Sequence, residues 1–147
     1  MEFARLLPLA MTDTAADDVR QAFSDVVQHD DLQTRRRSFD ALLATRLYLT
    51  HRSEPRLTLT AYPQPDGSLM IPASTDEIAL RKWIRKDTPF GNMPAKTFFR
   101  AAVKMGIDDV VIDPGGWAFR IGRDSMILLG QGINPGAVPQ GSQGRSS

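Results

Sequence analysis

Seven basic side chains fall between positions 81 and 104: Arg81, Lys82, Arg85, Lys86, Lys96, Arg100 and Lys104, with Asp87 the one acid among them. Lys96, Arg100 and Lys104 recur every four residues, which on a helix sets them along one face. Arg81 and Arg85 share the same spacing. A stripe of this kind can meet an acidic protein surface or a phosphate backbone. Its ordinary structural role is a solvated helix face. Asp113-Pro114-Gly115-Gly116 is the second feature. Proline fixes φ and glycine permits positive φ, so a tight turn accounts for the pattern. Exposed amides at Asp113, Gly115 and Gly116 are the loop site that such a turn could offer to a ligand or partner.

Other chemistry is poorly served. The chain has no cysteine, which removes disulfides, thiolate nucleophiles and thiolate metal sites. His29 and His51 are the only histidines, and neither has a partner at ligand spacing. Asp30-Asp31 and Asp108-Asp109 are adjacent pairs, and adjacent side chains face apart on a helix or a strand. Gly130-Gln131-Gly132 has its next glycine at Gly136, and Pro135 and Pro139 exclude the helix that a dinucleotide loop requires. There is no Walker loop, and no serine lies in a nucleophile elbow. The expectation is a non-enzymatic protein without metal or cofactor.

The elements that position these residues follow from periodicity. Thr14 to Asp17 reads as a shortened capping box, followed by Val19, Phe23, Val26 and Val27 at helical spacing. Asp30 and Asp31 open a second helix with Leu32, Phe39, Leu42 and Leu43 on its apolar stripe. At Arg46 the period changes to alternation through Thr50. Arg56–Tyr62 and Ser68–Pro72 alternate as well, around the turn formers Pro63 to Gly67, which suggests an antiparallel meander. Ser74 and Glu77 have capping-box spacing before Ile78, Leu80, Trp83 and Ile84. Asp87–Met93 reads as a loop, Pro94 as the first turn of a helix bearing Phe98, Phe99, Ala102 and Val103, and Gly106 as its stop. Val110 to Ile112 is a doubly buried strand, and Trp117, Phe119 and Ile121 alternate after it. Ser125–Leu129 is a last strand or a short helix.

This order of elements resembles the N-terminal domain of the SseB family. Ser68-Leu69-Met70-Ile71-Pro72-Ala73-Ser74 sits where that family has a strand running into a helix cap. Thr75–Trp83 is similar to its cap-then-tryptophan helix, and Asn92-Met93-Pro94 to the lead into its second helix. Val110–Gly116 resembles its strand followed by an Asn-Pro-Gly turn, with Asp113 in place of asparagine and Ala73 in place of the aromatic before the cap. The resemblance implies an α+β fold: a small, mainly antiparallel sheet with two helices packed on one face. It implies no catalytic residues. The family's serine-sensitivity phenotype implies a link to amino-acid metabolism for a sensor or enzyme. A counterpart to the family's C-terminal domain is not expected in this chain.

Three segments are therefore expected: an N-terminal helical extension at 1–45, an SseB-like α+β domain at 46–129, and a flexible Gly/Pro/Ser-rich tail at 130–147. The first holds five bases and eight acids, the remainder thirteen and nine. The opening apolar run, broken by Pro8, is too short for a secretory leader, no stretch is long enough to span a bilayer, and Met11 is a possible start. These features point to a cytoplasmic protein. The expected function is protein interaction or regulation through Arg81, Arg85, Lys96, Arg100 and Lys104, with an acidic protein as partner. A small-metabolite sensor or enzyme is the alternative, marked by polar groups converging near Asp76, Asp113 and Trp117. Nucleic-acid binding is disfavoured, because no aromatic residues punctuate the basic stripe.

Overall fold

Alternation and helical periodicity resolve into five helices and six strands among the described residues of the computed structural model. It describes residues 2–50, 60–116 and 118–137, with side chains from residue 15 onward. The strands form a two-stranded sheet, β1 (Arg46–Thr50) with β4 (Phe90–Pro94), and a four-stranded sheet. The latter runs β2 (Tyr62–Pro63), β3 (Leu69–Ala73), β5 (Asp109–Ile112), β6 (Phe119–Gly122) in that order. Every pairing is antiparallel except β3 with β5. The two sheets meet at one point, where the amides and carbonyls of Tyr48 and Ser74 exchange two 2.8 Å hydrogen bonds. The fold is α+β, as expected.

Among the described residues β1 pairs with β4, across Leu47–Met93 and Leu49–Gly91, so the segment read as a loop at Asp87–Met93 carries a strand. Turn formers at Pro89 and Gly91 hid it; only long-range pairing with β1 reveals it. β2 and β3 do form a hairpin, closed where Gly67 at φ 88 lets its amide reach Gln64 O at 2.9 Å. Most of the strand expected at Arg56–Tyr62 lies outside the described residues, as do His51, Trp117 and residues 138–147.

The helices bury one face each. α1 (Glu2–Gln28) runs through Thr14, which therefore is not its cap. Val19 and Phe23 are buried, whereas Val27 is exposed. α2 (Leu32–Leu43) starts at Asp31, whose side chain accepts from Thr34 N at 2.8 Å while Thr34 Oγ1 answers from Asp31 N at 3.1 Å. That reciprocal pair satisfies two amides that the helix end leaves free. α4 (Ala95–Lys104) follows Pro94 directly, and Gly106 at φ 78 lies just past its end. α5 (Arg123–Gly130) settles the ambiguous last apolar run as helix. Gly130 permits its close approach to α4: a Cβ there would meet Arg100 N at 3.0 Å and Arg100 Cα at 3.1 Å.

One core joins these layers. Phe98, Phe99 and Ala102 of α4, Met126 and Leu129 of α5, and Leu47, Leu49, Ile71, Val110 and Ile112 of the strands belong to a single apolar cluster. Val19 and Phe23 of α1 and Leu42 of α2 join the same cluster. The Phe23 ring lies 4.6 Å from Phe119 at 37° and meets Phe39 edge-on at 6.2 Å. Residues 130–137, the first part of the expected tail, pack on α2. Asn134 Nδ2 donates to Arg36 O and Asp40 Oδ1 at 2.7 Å each, beside a 3-10 turn at Pro135–Ala137.

Candidate functional site

The cap of the third helix is the local feature around which a cavity is built. Sequence spacing marks Ser74 as that cap, but Asp76 takes the role, accepting from Ala79 N at 2.7 Å ahead of α3 (Glu77–Arg81). Ser74 is fully buried and accepts instead from Trp83 Nε1 at 2.9 Å. The helix is shorter than the apolar spacing suggests and stops before Trp83. Asp76 outcompetes Ser74 because a carboxylate at a helix N-terminus combines hydrogen bonding with a favourable charge.

The Asp113 turn closes against this cap. Asp113 sits at φ 55, and its carbonyl accepts from Gly116 N and Ala118 N at 2.9 Å. Its carboxylate turns inward, accepting from Thr75 N at 2.8 Å and Thr75 Oγ1 at 2.9 Å. A short polar side chain tolerates this left-handed conformation better than a bulky one. Burial pushes the Asp113 carboxyl above its ordinary pKa, against the Thr75 hydrogen bonds and the Arg20 charge, which pull it down. Gly115 and Gly116 are exposed. Of the three expected loop residues, Asp113 is thus a buried acceptor and the glycines form the outer turn.

From α1, Arg20 reaches over the cap. It donates to Thr75 Oγ1 at 2.9 Å, to Asp76 Oδ2 at 3.3 Å and to Asp17 on its own helix. Asp17, Arg20, Asp76, Lys82, Asp113 and Gly116 line a cavity of about 640 Å³, with Ile78 and Ala79 as its apolar wall. Asp76 and Asp113 are each 4 % exposed. The convergence expected near Asp76 and Asp113 is therefore present, with Trp117 outside the described residues. Asp17, Arg20 and Lys82 were not anticipated as members. The i, i+3 spacing of Asp17 and Arg20 is visible in sequence, but their placement beside α3 is a long-range property.

The basic residues divide into two groups. Arg81 bonds Glu77 at 2.9 Å and lies 5.2 Å over the Phe90 ring. Arg85 borders a groove of about 490 Å³ with Tyr62, Met70, Trp83 and Ile84. Lys96, Arg100 and Lys104 stand on α4, all exposed, and none forms an ion pair among the described residues. Arg100 and Lys104 border a different, smaller cleft of about 250 Å³ with Val103 and Ile127. Arg35 and Arg37, by contrast, are paired with Asp30 at 2.6 Å and Asp25 at 3.6 Å.

Comparison with known proteins gives one assignment. Residues 19–126 match the family model of the SseB protein N-terminal domain, which covers well over half of the chain and starts at Val19, a buried core residue of α1. No curated protein and no solved structure matches. No helix among the described residues is long and apolar enough to cross a membrane.

Proposed function

The chain belongs to the SseB family through its N-terminal domain, and we propose that it works as a non-enzymatic interaction or regulatory module. In this reading Lys96, Arg100 and Lys104 engage an acidic surface on a protein partner, with Arg81 and Arg85 as a flanking basic pair. The observation that carries it is the row of three exposed cations on α4 without ion-pair partners among the described residues. Unpaired like charges along one face raise the association rate with an opposite surface and suppress wrong partners. Beside them Ile127 is 38 % exposed and Met105 43 % exposed, which supplies apolar area for a contact that charge orients.

The test is recovery of partners from native lysate with wild type and with Lys96→Glu/Arg100→Glu/Lys104→Glu. The triple variant is expected to lose acidic partners that wild type releases with rising salt. Identical partners from both proteins would remove the main support for this reading. Heparin retention of wild type no greater than that of a neutral control protein is expected as well, since the stripe lacks stacking aromatics.

A further inference from the structure

From the charges that remain uncompensated in the Asp113 cavity, we infer that this cavity binds a small zwitterion with an apolar side chain, the chemistry of a free aliphatic amino acid. Five charged side chains line it, and three of them are joined by ion pairs. Arg20 is shared between Asp17 and Asp76, one cation against two carboxylates, so a negative charge remains among those three. Asp113 and Lys82 stand outside these pairs. Among the described residues, the Asp113 carboxylate is bonded to the neutral amide and hydroxyl of Thr75. Lys82 forms no ion pair among the described residues.

The two are neighbours on the cavity wall without touching. The turn that Asp113 begins packs on the Lys82 stem, where a Cβ on Gly115 would lie 3.1 Å from Lys82 Cβ. A carboxylate has about four acceptor sites, and among the described residues two hydrogen bonds reach that of Asp113, one to each oxygen. An ammonium group can therefore be received there, and a carboxylate on the same ligand meets Lys82. Burial disfavours the charged form of Asp113, the Arg20 charge offsets this only in part, and a ligand ammonium adds to that compensation. The remaining wall is apolar. Ile78 is 64 % exposed at the cavity although it is a large hydrophobe. A side chain on the ligand covers it. The cavity volume lies in the range of small-molecule sites.

Titration calorimetry of the whole chain tests this with L-leucine, L-valine and L-methionine, and with two single-charge analogues of leucine, 3-methylbutylamine and 4-methylpentanoate. Saturable binding of at least one amino acid is expected, with Asp113→Asn and Lys82→Met each weakening it about tenfold or more. For leucine, the amine and the acid alone are expected to bind at least about tenfold more weakly, the loss of one charged contact. Asp113→Asn retains an acceptor for Thr75 N, and Lys82→Met retains the stem under Gly115; their melting curves verify folding. No binding by any of the three amino acids at millimolar concentration overturns the inference. So does equal binding of the single-charge analogues, or wild-type affinity in both variants. Charge reversal at Lys96, Arg100 and Lys104 is expected to leave the titration unchanged, which separates this site from the basic face.

Discussion

Phe23→Ala is the perturbation that asks most directly whether α1 is part of the domain. The ring is 6 % exposed, is tilted against Phe119 of β6 at 4.6 Å, and meets Phe39 of α2 edge-on at 6.2 Å. It thereby ties α1 to both the four-stranded sheet and α2. Truncating a buried phenylalanine costs about 3–5 kcal/mol, the sum of lost transfer free energy and the cavity left behind. The two ring pairs contribute about 0.5–1.5 kcal/mol each within that figure. Phe23 lies at the margin of the cluster, where water can enter the space vacated, so a loss of about 3 kcal/mol is expected. For a chain of this length about 1 kcal/mol moves Tm by about 2–4 °C, so a drop of about 10 °C follows.

The assay is urea unfolding followed by far-UV circular dichroism, with calorimetry for Tm. Cooperativity is expected to persist, because Phe98, Phe99 and Leu129 of the central cluster are untouched. A double-mutant cycle with Phe119→Leu isolates the ring pair, for which a coupling of about 0.5–1.5 kcal/mol is expected. A loss below about 1 kcal/mol, with no coupling to Phe119, would refute the docking of α1. It would also remove Arg20 from the cavity, since the same helix positions both residues.

Further expectations concern the cap, the turn and the α4–α5 contact. Asp76→Ala removes the helix cap and the Arg20 partner, and is expected to cost about 1–2 kcal/mol by the capping scale, whereas Asp76→Asn keeps the cap and costs less; urea midpoints distinguish the two. Burial raises the Asp113 carboxyl pKa in the folded protein, so the folded state holds that proton more tightly than the unfolded one. Its contribution to stability is then fully present below the ordinary aspartate value of 3.8 and falls as pH rises through the raised value. Wild type is accordingly expected to lose stability relative to Asp113→Asn as pH increases over that window, and a gain would refute it. Gly130→Ala places a methyl 3.0 Å from Arg100 N, against backbone that cannot move aside, and is expected to cost about 1–3 kcal/mol in thermal melts.

What could be read from the residues was what is local. The start of α2 at Asp30 and Asp31, the Pro94 start of α4, the β5 apolar run and the order of elements that resembles the SseB domain all rest on neighbours a few positions apart. The failures share a cause. β4 has turn residues and a weak alternation, and it is a strand because β1 lies beside it. The third helix is capped by Asp76 and not Ser74 because Ser74 is drawn into the bridge with Tyr48 and the bond from Trp83, a competition that capping-box spacing cannot register.

The same distinction governs the two surfaces. The α4 stripe is a local pattern, legible at a spacing of four, and its exposure is what an amphipathic helix with Phe98, Phe99 and Ala102 on the other side must produce. The cavity is a product of long-range packing. Arg20 and Asp76 are 56 positions apart, and Thr75 and Asp113 are 38 apart. Of its parts, Asp76 beside the helix cap and the glycine-rich turn are marked in the sequence, and the turn announces backbone geometry without indicating that Asp113 turns inward. Arg20 is therefore the informative residue. It pairs with Asp17 and Asp76 while it bonds Thr75, the residue that holds Asp113. Arg20→Met would leave Asp76 buried without its partner and Thr75 with one hydrogen bond fewer, so stability and ligand binding should fall together. In Lys82→Met, where no ion pair among the described residues is broken, binding should fall alone. A variant pair that reversed this order would place the binding determinant on α1 and not at Lys82.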